Sequence, residues 1–203
     1  MILLACSASA SPRVRAAARA EYDSGLDELF KHFHANPELS FVEQETAARI
    51  AKALRTLGFE VTEGVGRTGV VAVMKNGRGP MVMMRADMDG LPVKERSGLD
   101  YASEAVQKNS DGQEFPVMHA CGHDVHITSL VGTARLMSRM KNKWSGTLML
   151  VAQPAEEWKE SGAKVMREDK IWERFGQPDF ALAFHVAAAI PAGRLYAAPA
   201  AAY

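Results

Sequence analysis

Cysteine is scarce in this sequence. Its 203 residues include two cysteines, Cys6 near the start and Cys121 in the middle. Two isolated thiols do not make the disulfide framework that stabilises many small secreted domains. The role of each cysteine therefore has to be inferred from its neighbours in the sequence.

The sequence also lacks an excess of charge and long apolar runs. Its 24 basic residues are balanced by 24 acidic residues, so the formal net charge is zero. A basic patch is the electrostatic signature of proteins that bind nucleic acid or anionic membranes, and this balance gives no sign of one. No stretch approaches the roughly 20 apolar residues that cross a bilayer as a helix. We therefore predict no nucleic-acid partner and no membrane span.

The N-terminal residues allow two interpretations. Residues 1–10 resemble the end of a secretory signal, and residues 3–6 loosely resemble a lipoprotein cleavage site, although the apolar run is short and no basic segment precedes it. A clipped export signal would make the protein periplasmic or exported, whereas a terminus without a targeting role would leave it cytoplasmic. Under both interpretations, residues 1–22 form an N-terminal extension and residues 23–203 form the domain.

The rest of the sequence has the composition of a globular domain, with 47% hydrophobic residues. Apolar residues at helical spacing predict helices over residues 26–33 and 124–140, and helical composition extends over residues 13–21. A further helix is expected to open with a capping box made by Ser40 and Glu43 and to close at Gly58. A short helix is expected to begin at Ala163.

Four apolar runs predict strands. Residues 69–74 and 81–84 flank an Asn76–Gly77 turn, so we expect these two strands to pair. Residues 146–152 and 180–186 are almost continuously apolar, which is typical of strands buried on both faces. Residues 91–116 are polar and predict a long loop. Because strands alternate with helices, the expected fold class is α/β, with a sheet of parallel character.

Residues that bind metals or exchange protons follow the ends of these predicted strands. They are Asp87 and Asp89, then Glu156 and Glu157, then His185, and a loop before the 124–140 helix adds His119, Cys121, His123 and His126. Ligands of open α/β sheets bind beyond the carboxyl ends of the strands, and Cys, His and Glu are ligands of zinc and similar ions. Taken singly, each feature is explained by a turn, a solvated charged pair or a core histidine. Their convergence on one edge of the sheet indicates a metal site.

Four ordered strings carry a family resemblance. They are His-Ala-Asn-Pro-Glu-Leu-Ser-Phe at residues 34–41, Arg-Ala-Asp-Met-Asp-Gly-Leu-Pro at 85–92, Met-His-Ala-Cys-Gly-His-Asp at 118–124 and Gln-Pro-Ala-Glu-Glu at 153–157. Together they resemble the hippurate hydrolase branch of the aminoacylase-type dinuclear metallopeptidases, a branch that includes hydrolases of auxin–amino-acid conjugates. The resemblance runs from about Leu26 to the end of the chain.

The resemblance implies a set of roles. It implies that two divalent ions, zinc, manganese, cobalt or nickel, are bound by Cys121, His123, Glu157 and His185, that Glu156 is the general base, and that Asp89 is a supporting carboxylate that orients a ligand. The implied substrates are N-acyl amino acids. His34 is expected at a helix C-terminus, where a cation is favoured. The roles of Asp87, His119 and His126 stay open.

The resemblance also carries expectations about the rest of the fold. It implies a three-layer α/β/α catalytic domain. Members of this branch are longer, form homodimers through an inserted lid domain, and supply a further histidine ligand near their C-terminus. We therefore expect a C-terminally truncated catalytic domain without the lid, and we expect dimerisation to depend on the absent part.

Two other functions stay open. Cys121 could act as the nucleophile of a thiol hydrolase with His123 or His126 as its base, a mechanism that needs a depressed thiol pKa and leaves Glu156, Glu157 and His185 without a role. The chain could also be an inactive metal-binding fragment of an amidohydrolase.

Overall fold

The computed structural model of the protein describes residues 11–109, 111–159, 161–191 and 193–194. The export-signal interpretation of residues 1–10 falls outside these ranges. Two helices open the described chain, α1 (Pro12–Glu21) and α2 (Asp27–Ala35), with a kink over Tyr22–Leu26 at which Gly25 has a φ of 111°. The domain boundary proposed at residue 22 coincides with this kink and stays a prediction. Within the described ranges no helix is long and apolar enough to cross a membrane.

The remaining elements follow in chain order. They are α3 (Gln44–Thr56), β1 (Glu60–Val65), β2 (Gly69–Asn76), β3 (Met81–Asp87), β4 (Val106–Lys108), β5 (Glu114–Pro116), α4 (His123–Arg139), β6 (Gly146–Gln153), α5 (Gly162–Glu168), α6 (Ile171–Phe175) and β7 (Phe180–Ala183). A 3₁₀ turn covers Lys141–Lys143. The predicted loop over residues 91–116 contains the short β4–β5 hairpin.

The sheet has five strands in the order β1-β2-β6-β3-β7. β3 pairs in parallel with both β6 and β7, whereas β2 pairs antiparallel with β1 and β6. Parallel strands present their carboxyl ends at the same edge, so the residues that follow β3, β6 and β7 come together there. The N-terminus of α4 reaches the same edge through the loop that contains Cys121.

Helices cover both faces of this sheet. On one face, α3 and α4 bury Ile50, Leu54, Ile127 and Leu130 against strand residues such as Leu150. On the other face, Met166 of α5 and Ile171 of α6 pack against Val71, Met149 and Val151 of the sheet. Burial of these apolar side chains holds the three layers together. The predicted three-layer α/β/α architecture is confirmed, with a mixed sheet at its centre.

The predicted hairpin between residues 69–74 and 81–84 is wrong. Both segments are strands, but β6 lies between them and pairs with each. The Asn76–Gly77 turn therefore crosses the end of β6, where the amide of Thr147 donates to the Pro80 carbonyl at 2.9 Å. All but one of the β6 residues are buried, so the centre of the sheet is the position that removes most of its apolar surface from water.

Two other strand predictions need correction. The expected buried strand over residues 180–186 is an exposed edge strand that ends at Ala183, and Phe180 and Leu182 are each 61% exposed. Among the described residues, β3 is the only strand beside β7. β1 was not predicted, because its residues include the polar Glu60, Thr62 and Glu63, and only one of its six residues is buried, so it lacks a continuous apolar run.

The predicted capping box at the start of α3 is also wrong. Glu43 is the residue that precedes the first turn, and its side chain makes no capping hydrogen bond. The carboxylate of Glu38 accepts the first-turn amides instead, from Glu45 at 3.2 Å and from Thr46 at 2.7 Å. Ser40 instead donates to Asp89, and Glu43 accepts from Thr68 and from the amide of Ala155.

Candidate metal centre

His123 lies at the centre of the site. It is the first residue of α4, follows Gly122 with a φ of 83°, and is fully buried. Its Nδ1–H donates to the backbone carbonyl of Asp89 at 2.9 Å. Its Nε2 is buried without a hydrogen-bond partner among the described residues. A buried nitrogen with a free lone pair is costly unless it binds a ligand or an ion.

Carboxylates surround this nitrogen. Oxygens of Asp87, Glu157 and Glu156 lie 3.7, 3.9 and 4.0 Å from His123 Nε2. Burial alone would lower the pKa of His123, but the neighbouring carboxylates outweigh it and raise that pKa. Such an arrangement of one bare imidazole nitrogen and several anions favours a bound cation.

Cys121 completes the first possible ligand group. Donor atoms of Cys121, His123 and Glu157 all lie within 4.8 Å of one another. Burial, reinforced by the carboxylates of Glu157 and Glu156, raises the pKa of the Cys121 thiol to about 12. A nucleophilic cysteine needs the opposite shift, so this environment disfavours the thiol-hydrolase alternative. A divalent cation would relieve the repulsion between thiolate and carboxylates.

His185 approaches the same group from beyond the end of β7. Its Nδ1–H donates to the Val186 carbonyl at 2.6 Å, which leaves Nε2 directed to Cys121 Sγ at 3.4 Å. His185 also belongs to a second possible ligand group, in which donor atoms of Asp87, His123, His126 and His185 lie within 4.8 Å of one another. The four residues expected to bind metal are thus brought together, and two further residues lie close to them.

Asp89 holds the glutamate pair in place. Its buried carboxylate accepts the backbone amides of Glu156 and Glu157, each at 3.0 Å, and the hydroxyl of Ser40 at 2.6 Å. One of its oxygens also lies 3.3 Å from His123 Nδ1. Burial alone would raise the pKa of Asp89, but these donors outweigh it and keep the pKa below its usual range. The supporting role expected of Asp89 stays a prediction with this geometry behind it.

Glu43, which was expected in a capping box, is a buried acid next to the glutamate pair. Its Oε1 accepts the backbone amide of Ala155 at 2.8 Å, and the hydroxyl of Thr68 donates to Oε2 at 2.5 Å. Ala155 has a φ of 47°, an uncommon value for a residue with a side chain, and directly precedes Glu156. Burial is the main reason that the pKa of Glu43 rises to about 7.

Asp87 and His126 are two buried residues whose roles the sequence left open. His126 Nδ1 lies 2.5 Å from Asp87 Oδ1, and His126 Nε2 accepts the backbone amide of Val186 at 3.0 Å. Burial alone would raise the pKa of Asp87, but the hydrogen bond from His126 and neighbouring cationic groups lower it to about 2. The only signal in the sequence was that Asp87 lies in the 85–92 string and His126 follows the 118–124 string. A local sequence pattern does not show which distant residues will form hydrogen bonds.

His34 lies in the last turn of α2, as expected, but its ring is bound by acids. Its nitrogens contact Asp124 at 2.7 Å and Glu95 at 2.9 Å, and these contacts raise the pKa of His34 against the effect of burial. His119 is buried, which lowers its pKa to about 4, and neither ring nitrogen has a partner in the described part of the chain. Both histidines line a cavity of about 410 Å³ beside Cys121.

The donor set fits divalent ions such as zinc or cobalt. It combines a thiol, imidazoles and carboxylates, which are the ligands that these ions bind. His123 and His185 each donate Nδ1–H to a backbone carbonyl, which leaves Nε2 to face the site. Histidines that bind metal typically donate their other ring N–H in this way.

The chain is similar to known proteins over most of its length. Residues 83–199 match the family model described as peptidase family M20/M25/M40. The chain is 42% identical over 163 residues to a hippurate hydrolase of Campylobacter jejuni, an alignment that covers 79% of this chain and 39% of that relative. It is 38% identical over 176 residues to thermostable carboxypeptidase 2 of Saccharolobus solfataricus, covering 85% of this chain and 42% of the relative.

A solved structure shows the same fold. The YXEP protein of Bacillus subtilis, described as a dinuclear metal binding peptidase from the M20 family, aligns with a TM-score of 0.72 at 32% identity. The alignment covers 85% of this chain and 45% of that protein. This chain therefore spans about two fifths of the length of the curated relatives it matches. The family model, the identities and the shared fold together show that the chain belongs to the M20 family of peptidases.

Proposed function

We propose that this chain contains the metal-binding part of a hydrolase that cleaves the amide bond of N-acyl amino acids, with hippurate-like substrates. The observation that carries the proposal is the buried Nε2 of His123, which has no hydrogen-bond partner within the described ranges and faces the thiol of Cys121 and the carboxylates of Glu156 and Glu157. A hippurate hydrolase among the relatives supports the substrate class.

The proposed ligands of divalent ions are Cys121, His123, Glu157 and His185. When bound in such a site, a divalent ion polarises a carbonyl group and lowers the pKa of water to about 7. Backbone carbonyls hold the two imidazoles, and Asp89 holds the backbone amide of Glu157, so hydrogen bonds from the protein orient three of the four proposed ligands.

Glu156 is the proposed general base. Its side chain is 37% exposed at the edge of the site, and its Oε2 lies 4.0 Å from His123 Nε2. From this position, its carboxylate takes a proton from the attacking water and returns it to the leaving amide nitrogen. Asp89 accepts the backbone amides of both Glu156 and Glu157, so one buried carboxylate positions the base and its neighbouring ligand together.

Metal analysis combined with an amide-hydrolysis assay tests this function. The purified chain is loaded with zinc, manganese, cobalt or nickel, desalted, analysed for bound metal, and assayed on N-benzoyl and N-acetyl amino acids before and after chelation. Four protein ligands suit one ion better than two, so we expect close to one tightly held ion per chain. We also expect that any hydrolysis disappears with chelator.

Three results separate the functions considered. Bound metal without hydrolysis would favour the inactive metal-binding fragment. Hydrolysis that persists after complete removal of metal would reject the metal-dependent mechanism. A chain that retains none of the four metals would reject the metal centre itself.

A further inference from the structure

A chain of buried and partly buried hydrogen bonds connects residues next to the proposed ligands. Arg85 Nε donates to Gln153 Oε1 at 3.0 Å, and Arg85 Nη1 donates to Asp87 Oδ2 at 2.7 Å. The other oxygen of Asp87 contacts His126 Nδ1 at 2.5 Å, and His126 Nε2 accepts the amide of Val186 at 3.0 Å. The chain thus connects the carboxyl ends of β6 and β3, through α4, to the segment beyond β7.

We propose that His126 and Asp87 are positioning residues that fix His185 at the metal centre, and that neither binds the metal itself. This inference rests on the proposed function, in which His185 is a ligand. Val186, whose amide His126 holds, directly follows His185 and supplies the carbonyl that binds His185 Nδ1. The imidazole of His126 therefore fixes the backbone next to His185, the proposed ligand.

His126 differs from the proposed ligands in the hydrogen bonds that its ring nitrogens make. Its Nε2 lone pair accepts the Val186 amide, so its Nδ1 carries the proton and donates to Asp87. Both nitrogens of this fully buried ring are therefore engaged. His123 differs, because its Nε2 has no partner among the described residues. An ion bound to His126 would have to displace one of these hydrogen bonds and leave a donor unsatisfied.

Asp87 keeps the His126 ring in this orientation. Its two oxygens face different partners, Arg85 on one side and His126 on the other, and its side chain is fully buried. A carboxylate that accepts Nδ1–H fixes which nitrogen of an imidazole is free to accept. The His126 ring also packs against His185, with ring centroids 4.6 Å apart, so it constrains the ligand by contact as well as through Val186.

The segment beyond β7 continues from the edge of the sheet, so the hydrogen bond between Val186 and His126 matters for its position. β7 is an exposed edge strand, and His185 and Val186 are themselves exposed. Loss of the Val186 hydrogen bond would free the His185 backbone. His185 would then bind the ion less tightly, whereas Cys121, His123 and Glu157 would be unchanged. Residues that hold ligands in this way typically alter metal affinity about 10- to 100-fold when they are replaced.

Two amide variants of His126 test the inference in the full chain. The side-chain oxygen of His126→Gln reaches the position of Nε2 and still accepts the Val186 amide, whereas the shorter His126→Asn reaches only the position of Nδ1. Cobalt(II) affinity is measured by competition with a chelator, and the visible spectrum reports the coordination of the ion. Thr128→Val, two residues along α4, is the control for fold, because the Thr128 hydroxyl has no partner in the described part of the chain.

We expect cobalt affinity to fall about 10- to 100-fold in His126→Asn and to stay within about threefold of wild type in His126→Gln and Thr128→Val. The thiolate-to-cobalt charge-transfer band of Cys121 should persist in all three. Equal losses in the two amide variants would show that His126 is a ligand. Unchanged affinity in both, with a lower unfolding temperature, would show that its role is structural only.

A double-mutant cycle separates this inference from the proposed function. In a His185→Ala background, His126→Asn should cause no further loss of affinity, because the residue through which it acts is already gone. An additional loss as large as in the wild type would overturn the inference and leave His185 as a ligand. Wild-type affinity in His185→Ala alone would instead remove His185 from the ligand set, and the inference would fall with it.

Discussion

Replacement of Glu43 by glutamine tests whether this buried acid is protonated in the folded protein. Glu43 is fully buried, and its two oxygens bind the Ala155 amide and the Thr68 hydroxyl. Those hydrogen bonds favour the ionised form, but burial and the nearby charge of Asp89 oppose it and raise the pKa from 4.5 to about 7. Glutamine imitates the protonated acid, because its oxygen accepts from Ala155 and its amide N–H faces Thr68.

The shift predicts both the sign and the size of the effect. Because the folded pKa of Glu43 lies above its unfolded value, the folded state binds the proton more tightly. The resulting stabilisation is complete below about pH 4.5 and is lost as the pH rises through about 7. At about 1.4 kcal/mol per pH unit, the interval from 4.5 to about 7 corresponds to about 3 kcal/mol.

Urea unfolding of the metal-free chain, followed by circular dichroism across this pH range, measures the effect. The free energy of unfolding of Glu43→Gln minus that of wild type should increase by about 3 kcal/mol when the pH is raised from about 4.5 to above 7. The other titratable groups are the same in both proteins, so they cancel in this difference. Glu45→Gln, an exposed change two residues further along in the first turn of α3, is the matched control. A difference that does not vary with pH would show that folding leaves the pKa of Glu43 unchanged. A difference that favours wild type as the pH rises would show that the hydrogen bonds of Glu43 stabilise its ionised form.

Three further predictions concern the metal centre. Glu156→Gln should retain metal as the wild type does and slow any N-acyl amino acid hydrolysis by about two or more orders of magnitude, and near-normal turnover would remove Glu156 as the base. Cys121→Asp should hold metal after dialysis better than Cys121→Ala, because a carboxylate replaces a thiolate ligand, and equal retention would contradict that role. Because the pKa of the Cys121 thiol is about 12, binding must displace its proton, so metal affinity should rise at least about tenfold per pH unit near neutrality. An affinity that does not change with pH would show that Cys121 is not a ligand.

The sequence determined several of the local elements and contains, in recognisable strings, the residues proposed as donors of the site. The apolar spacing that ends near Met140 predicts α4 to within a residue at each end, and the apolar run from Gly146 predicts β6, because both patterns repeat within a few residues. The donors that follow β3 and β6 could be placed at one edge for the same reason. Strand ends are fixed by local pattern, and parallel strands share an edge.

The tertiary structure decided which strands pair and how the buried polar groups are satisfied. A turn at Asn76–Gly77 is compatible with a hairpin, but β6 buries more apolar surface between β2 and β3, and that comparison involves residues about 70 positions away. Glu43 was assigned wrongly and the role of His126 stayed open for the same physical reason. Their partners, Ala155 and Val186, lie 112 and 60 residues along the chain, and only the folded backbone brings those amides within hydrogen-bond distance.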